Sequence, residues 1–119
     1  MHFTKLHGLG NDFVTFDNRD GAIAEEKKNA LAARLCHRRT GVGGDGLILV
    51  ENSEPCDTRM RIFNSDGSEA EMCGNGVRCF AKYVYDTGIV KKERFSVETL
   101  AGSMIAELTV CLLYTSPSP

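Results

Sequence analysis

Long hydrophobic runs are missing from this chain. No apolar stretch approaches the ~18 residues a membrane-crossing helix requires, and Met1-His2-Phe3-Thr4-Lys5 has no signal-peptide character. A charge excess is missing too. Lys and Arg total 14 against 16 Asp and Glu, a formal net charge of -2. That balance excludes a phosphate-tracking basic surface of the usual kind and argues against nucleic acid as the main partner. Histidine is scarce: His2, His7 and His37 are scattered, and no C-x-x-C pair occurs, so a zinc site finds little support. The cysteines, Cys36, Cys56, Cys73, Cys79 and Cys111, are odd in number and suggest no disulfide framework. A reducing, cytoplasmic setting is the expectation. No P-loop, internal repeat or low-complexity segment is found.

What is there suits globular folding: 119 residues, of which 42% are hydrophobic and 25% charged. This length makes one small domain or a piece of a larger one. A chain so short buries only about two-thirds of the surface it exposes when unfolded. A large enclosed cavity inside one core is therefore disfavoured, and a site between two domains or two subunits is expected.

Residues 2–7 and 12–17 have strand composition and are separated by Gly8-Leu9-Gly10-Asn11, a hairpin-like connection. Glu25 to about Arg39 reads as a helix, with acidic residues in its first turn and Arg38, Arg39 and Gly41 at its stop. Leu47–Val50 and Arg59–Phe63 read as strands, followed by the turn cluster Asn64-Ser65-Asp66-Gly67-Ser68. After Gly76, the apolar residues Val77, Phe80, Ala81, Val84 and Tyr85 follow helical spacing up to Asp86, with Thr87-Gly88 as the stop. Phe95–Thr99 and Met104–Val110 read as strands. The second helix is apolar around most of its girth, which predicts a buried helix with strands wrapped around it. The fold class is α+β, a curved mixed or antiparallel sheet enclosing a central helix. From residue 110 the alternation is lost, and 110–119 ends in a Pro/Ser segment read as a non-native or disordered tail.

Chemistry concentrates in Cys73-Gly74-Asn75-Gly76-Val77-Arg78. Two glycines and an asparagine permit a tight backbone turn directly before the buried helix. The first N–H groups of a helix have no internal acceptor, and its dipole adds partial positive charge there, so that end suits an anion. A thiol at such a place has its thiolate favoured, with pKa values of ~3.5–7.5 against ~8.5 for a free cysteine. A sulfur base beside a carboxylate cradle is what removal of a proton α to a carboxylate needs. The spacing is equally compatible with a helix cap beside an inert cysteine.

Gly41-Val42-Gly43-Gly44-Asp45-Gly46 matches G-x-G-x-x-G, but it follows a helix and precedes a strand, the reverse of the dinucleotide-binding context, and reads as a loop. Asn64-Ser65-Asp66-Gly67 lacks the later ligands of a calcium loop. Asn11 and Asn64 stand at strand ends near glycines; they are either turn residues or amides for an amino-acid ligand. Arg78 reads as a structural partner for Glu69 or Glu71.

Together, His7-Gly8-Leu9-Gly10-Asn11-Asp12-Phe13, Gly43-Gly44-Asp45-Gly46-Leu47, Phe63-Asn64-Ser65-Asp66-Gly67-Ser68-Glu69 and Cys73-Gly74-Asn75-Gly76-Val77-Arg78-Cys79 resemble the N-terminal half of the diaminopimelate epimerase family. The resemblance covers about residues 1–109. It implies a cofactor-free epimerase that interconverts LL- and meso-diaminopimelate on the lysine and peptidoglycan route, working as a homodimer in the cytoplasm. The implied fold has two similar halves with the site in the cleft between them, each half contributing one cysteine. By the resemblance, Cys73 is one acid/base residue, assigned as the proton donor. Gly74 and Asn75 match backbone positions that hold the α-carboxylate, and Asn11 and Asn64 match substrate-binding positions. Gly46 falls where some relatives place a substrate-contacting glutamine, a contact that glycine lacks.

No pyridoxal or metal is implied. The second catalytic cysteine belongs to a half absent from these 119 residues, and the chain alone is expected to be inactive. Alternatives within the fold are proline racemase-like and phenazine-type isomerases. A non-catalytic amino-acid-binding module is the alternative outside enzymes.

Overall fold

Leu47-Ile48-Leu49-Val50 is apolar at every position because both of its faces are covered. All four side chains are fully buried, Leu47 and Leu49 on one side of a sheet, Ile48 and Val50 on the other. The structure, a computed structural model, describes residues 3–8, 11–37, 41, 43–71, 74–108 and 113–117. Among them the strands are β1 (Thr4–Gly8), β2 (Asn11–Asp17), β3 (Gly46–Glu51), β4 (Thr58–Asn64), β5 (Glu69–Ala70), β6 (Arg94–Thr99), β7 (Gly102–Leu108) and β8 (Leu113–Pro117). The helices are α1 (Lys28–Cys36), entered through a 3-10 turn at Glu25–Lys27, and α2 (Gly74–Asp86). Among the described residues no helix is long and apolar enough to cross a membrane.

All eight strands join one mixed sheet in the order β1-β2-β3-β4-β6-β7-β8, with β5 paired to β4 beside this path. β2 and β3 are parallel and connected through α1; β4 and β6 are parallel and connected through α2. Parallel neighbours need such crossovers, and here the two helices lie on opposite faces. Val14, Phe16, Leu47, Leu49 and Phe63 pack with Ala32 and Cys36 of α1. Phe13, Ile48, Val50, Met60, Ile62, Phe95 and Val97 pack with Val77, Phe80, Ala81 and Val84 of α2. Full burial of each larger side chain contributes roughly 1.5–3 kcal/mol.

Helix α2 touches β1 at one edge and β8 at the other as well as the central strands. A sheet whose two edges both reach one helix is curved around it, as the apolar girth of the helix predicts. The wrapping is incomplete, however. Arg78, Lys82 and Asp86, spaced i, i+4, i+8, form an exposed stripe, and Lys82 Nζ meets Asp86 Oδ2 at 3.0 Å. At the far end Thr87 N–H donates to the Tyr83 carbonyl and Val90 N–H to the Val84 carbonyl, so Thr87-Gly88 stops the helix as expected.

Helix α1 is shorter than its composition predicts. It ends at Cys36 because the glycine loop turns back and takes its last carbonyls: Gly43 N–H donates to the Leu35 carbonyl at 2.8 Å and Gly44 N–H to that of Cys36 at 3.3 Å. The loop reading of this segment agrees with the geometry at Gly41 and at 43–45; Gly46 already opens β3, and Val42 lies outside the described residues. Within 110–119, Leu113–Pro117 runs antiparallel to β7, from Leu108 opposite Leu113 to Met104 opposite Pro117; the other residues of that segment lie outside the described residues.

Candidate active site

The topology collects several strand termini at one end of the sheet. β2 and β3 are parallel and begin there, whereas β1 and β4 run against them and finish there. The register fixes the neighbours. Asn11, first in β2, is opposite Gly8, last in β1. Gly46, first in β3, lies between Phe13 of β2 and Asn64, last in β4. The two sequence-predicted asparagines therefore occupy the same end of the sheet, on strands separated by β3.

Gly46 has a steric reason to be glycine. A Cβ on it would lie 2.9 Å from the Phe63 carbonyl oxygen and 3.3 Å from two ring carbons of Phe13. A side chain at this position requires the Phe63 backbone to shift.

Asn64 opens a tightly bonded turn. Its N–H donates to the Ser68 carbonyl at 2.7 Å, and Gly67 N–H donates to the Asn64 carbonyl at 2.9 Å. Its side-chain amide donates to Ser68 Oγ at 3.1 Å. Asp66 Oδ1 accepts from both Ser68 Oγ and Ser68 N–H, which holds its carboxyl below the usual carboxylate range. Gly67 sits at φ +93, where a side chain is strained, and a Cβ there would meet the Asn29 carbonyl oxygen at 2.8 Å. The turn-residue reading of Asn64 is thus satisfied in part, while the residue itself stays exposed at the sheet end.

The chain returns through β5, where Ala70 pairs with Ile62 and Glu69 with Phe63. Gly74 opens α2 four residues after Ala70, a separation the chain spans in at most about 14 Å. The start of α2 therefore lies within that reach of β5, whose Ala70 is opposite Ile62, two residues before Asn64. Gly74 and Asn75 are the first two residues of α2, so their backbones belong to the turn whose N–H groups lack helical acceptors. Cys73, the candidate acid/base, lies outside the described residues.

The main feature that sequence reasoning missed is an ion-pair network on the α1 face. Arg61 forks onto Glu69, Nε to Oε2 and Nη2 to Oε1, both at 2.8 Å, and its Nη1 reaches Glu25 Oε1 at 2.6 Å. Glu25 also accepts from Lys28 Nζ at 3.0 Å, and Lys28 reaches Glu51 Oε2 at 2.5 Å. Asn18 Nδ2 joins at the same Glu51 oxygen at 2.9 Å. Hydrogen bonds from Arg61 first and Lys28 second bring the Glu25 carboxyl down to about 2; bonds to Glu69 and then Glu25 push the Arg61 guanidinium above its ordinary value. Glu69 therefore belongs to Arg61, not to Arg78, which is exposed near the start of α2. The available signal was the alternation of β4, which sets Arg61 and Phe63 on one face; Arg61 also stacks over the Phe63 ring at 5.4 Å.

Comparison with known proteins agrees with this architecture. The sequence model for "Diaminopimelate epimerase" matches residues 3–111. A diaminopimelate epimerase of Desulforapulum autotrophicum is 59% identical over 109 residues, covering 91% of this chain and 38% of the relative. One from Moorella thermoacetica is 60% identical over 102 residues, covering 86% of this chain and 36% of the relative. The chain thus spans well under half the length of the curated relatives it matches. Among solved structures, a Bacillus anthracis phenazine biosynthesis protein of the PhzF family superposes with a TM-score of 0.70 at 24% identity, covering 92% of this chain and 35% of that one. A probable proline racemase from Agrobacterium radiobacter gives 0.64 at 16% identity, covering 91% and 38%. Likeness at such identities reports the shared fold alone. Family membership rests on the sequence matches: the chain belongs to the diaminopimelate epimerase family.

Proposed function

We propose that the protein to which this chain belongs is a cofactor-independent epimerase that interconverts LL- and meso-diaminopimelate by exchange of a proton at one α-carbon. The observation that carries this reading is the family match over residues 3–111, within which Cys73 immediately precedes the first turn of α2. Inverting a stereocentre in place takes two groups on opposite faces of the carbon, one ionised and one protonated. Cys73 is one of them, acting as proton donor; the opposing cysteine comes from the second half of the protein. As one sulfur takes the α-proton, the other delivers a proton from the far side, and the pair of protonation states is exchanged.

The α-hydrogen is weakly acidic because negative charge accumulates on the carboxylate as the proton leaves. The backbone N–H groups of Gly74 and Asn75 meet that charge in this reading, and one well-aimed donor of this kind in a dry site contributes ~3–4 kcal/mol. Asn11 and Asn64, at the shared sheet end, hold the substrate through amides that both donate and accept. Neither pyridoxal nor a metal takes part in the scheme. The working unit is a cytoplasmic homodimer of two-half subunits, with residues 1–109 supplying the first half and 110–119 a tail foreign to it.

The reading is tested by giving a full-length protein LL-diaminopimelate in deuterium oxide. Formation of the meso isomer carrying one deuterium at the inverted carbon is the expected result. Turnover of proline or hydroxyproline, with none of diaminopimelate, would overturn the substrate assignment.

A further inference from the structure

The sheet face turned away from α2 also grips the Asn64 turn. Along β4, Met60 and Ile62 pack on the α2 side while Phe63 packs on the α1 side. Alternation puts Arg61 with Phe63 and Asn64 with Met60 and Ile62. From the opposite face, helix α1 and its entry turn hold the β4–β5 hairpin that carries Asn64 at two points. At the tip, Asn29 Nδ2 donates to the Gly67 carbonyl at 2.8 Å. At the base, the Arg61 fork fastens Glu69 and is itself tied to Glu25, just before α1.

The internal bonds of the 64–68 turn fix its shape but not its placement on the sheet. The β3–β4 and β4–β5 pairings set its two ends on the sheet, and Asn29 and Arg61 tie it to the α1 face. We infer that Asn29 and Arg61 are positioning residues for Asn64, holding its amide where a substrate is received. This rests on Asn64 being a substrate contact, as proposed above. Neither residue touches substrate in this scheme. Loosening either clamp weakens binding in the ground state and transition state alike, which raises KM and leaves kcat nearly unchanged.

The test is a pair of double-mutant cycles in a full-length protein. Asn29→Asp keeps the size of the side chain but turns an acceptor toward the Gly67 carbonyl; Arg61→Lys keeps the charge but loses the fork. Each is combined with Asn64→Ala, and KM and kcat for diaminopimelate are measured alongside urea unfolding. Asn29→Asp alone is expected to raise KM about fivefold, the scale of one hydrogen bond, with kcat changed less than about twofold. In the Asn64→Ala background the same substitution is expected to move KM by less than about 1.5-fold, because the group it positioned is gone. Full multiplication of the two effects, or an unchanged KM in Asn29→Asp, overturns the inference. If Arg61→Lys does not fold, the Asn29 cycle decides. A wild-type protein that does not turn over diaminopimelate defeats the functional reading and this inference with it, whereas normal turnover with independent effects defeats this inference alone.

Discussion

The guanidinium of Arg61 and the carboxylate of Glu69 meet side by side through two hydrogen bonds of 2.8 Å, fastening β4 to the short return strand β5. The Arg61 side chain is only 9% exposed and that of Glu69 22%, so water does little to screen the pair. The return strand leads, within a few residues, to the start of α2. A local ion pair thus fastens the short strand that lies, along the chain, between two parts of the candidate site.

Removing one partner leaves the other charge partly buried. Arg61→Ala is expected to destabilise a full-length protein by ~1–3 kcal/mol, because Glu69 loses both of its donors from Arg61 and Glu25 one of its two. Urea unfolding measures the loss. Arg61→Met combined with Glu69→Leu is expected to recover most of it, since an apolar pair requires no desolvation of charge. A single substitution costing under ~1 kcal/mol would contradict the account.

The same network gives stability an acid limb. The Glu25 carboxyl is lowered from 4.5 to about 2 by Arg61 and Lys28. A carboxyl depressed in the folded state contributes stability above its unfolded value and loses it as pH falls through its folded value. The contribution of Glu25 is therefore complete above about pH 4.5 and disappears toward pH 2. Its side chain is 66% exposed, so solvent screening limits the effect to at most about 1 kcal/mol. Urea midpoints taken from pH 5 to pH 2 are expected to fall less steeply in Glu25→Gln than in wild type; equal slopes would contradict this.

Gly46 tests the packing of the sheet end. Gly46→Ala pushes a methyl against the Phe63 carbonyl at 2.9 Å and the Phe13 ring at 3.3 Å, deep between β2 and β4. Overpacking of this kind costs ~1–3 kcal/mol. Thermal unfolding is expected to shift downward accordingly, and an unchanged midpoint would mean that the strands separate more easily than the register implies.

The 109 matched residues cover 38% of the Desulforapulum relative, and no second cysteine with a glycine-rich helix start occurs in the 119-residue sequence. The isolated chain is expected to show no epimerisation of diaminopimelate, because a single sulfur cannot both take and return a proton on opposite faces. Turnover by the purified chain would refute the two-sulfur scheme.

Much of this arrangement was legible in the residues, for identifiable reasons. The unbroken apolar run at Leu47–Val50 marked a strand covered on both faces, and the spacing of Val77, Phe80, Ala81 and Val84 marked the helix that the sheet wraps. Both are dictated by burial, which leaves a period in the sequence. The true length of α1 left no such trace, since its end depends on Gly43 and Gly44 N–H groups arriving from the following loop. Nor was Arg61 identifiable as the partner of Glu69: that pairing depends on the return of β5 beside β4, a tertiary event. Glu69 was also within reach of Arg78 along the chain, and its commitment to Arg61 shows only once β5 lies beside β4. Asn11 and Asn64 were visible as strand-end asparagines, but their presence at one end of the sheet follows from the parallel pairing of β2 with β3.

The most direct measurement replaces the sulfur itself. Cys73→Ala in a full-length protein is assayed with LL-diaminopimelate in deuterium oxide, beside urea unfolding of the same sample. The account predicts that formation of the meso isomer falls by at least ~10²–10⁴-fold, the range for loss of a positioned acid/base group, while the unfolding midpoint barely moves. Epimerisation within tenfold of wild type would show that proton transfer does not run through Cys73.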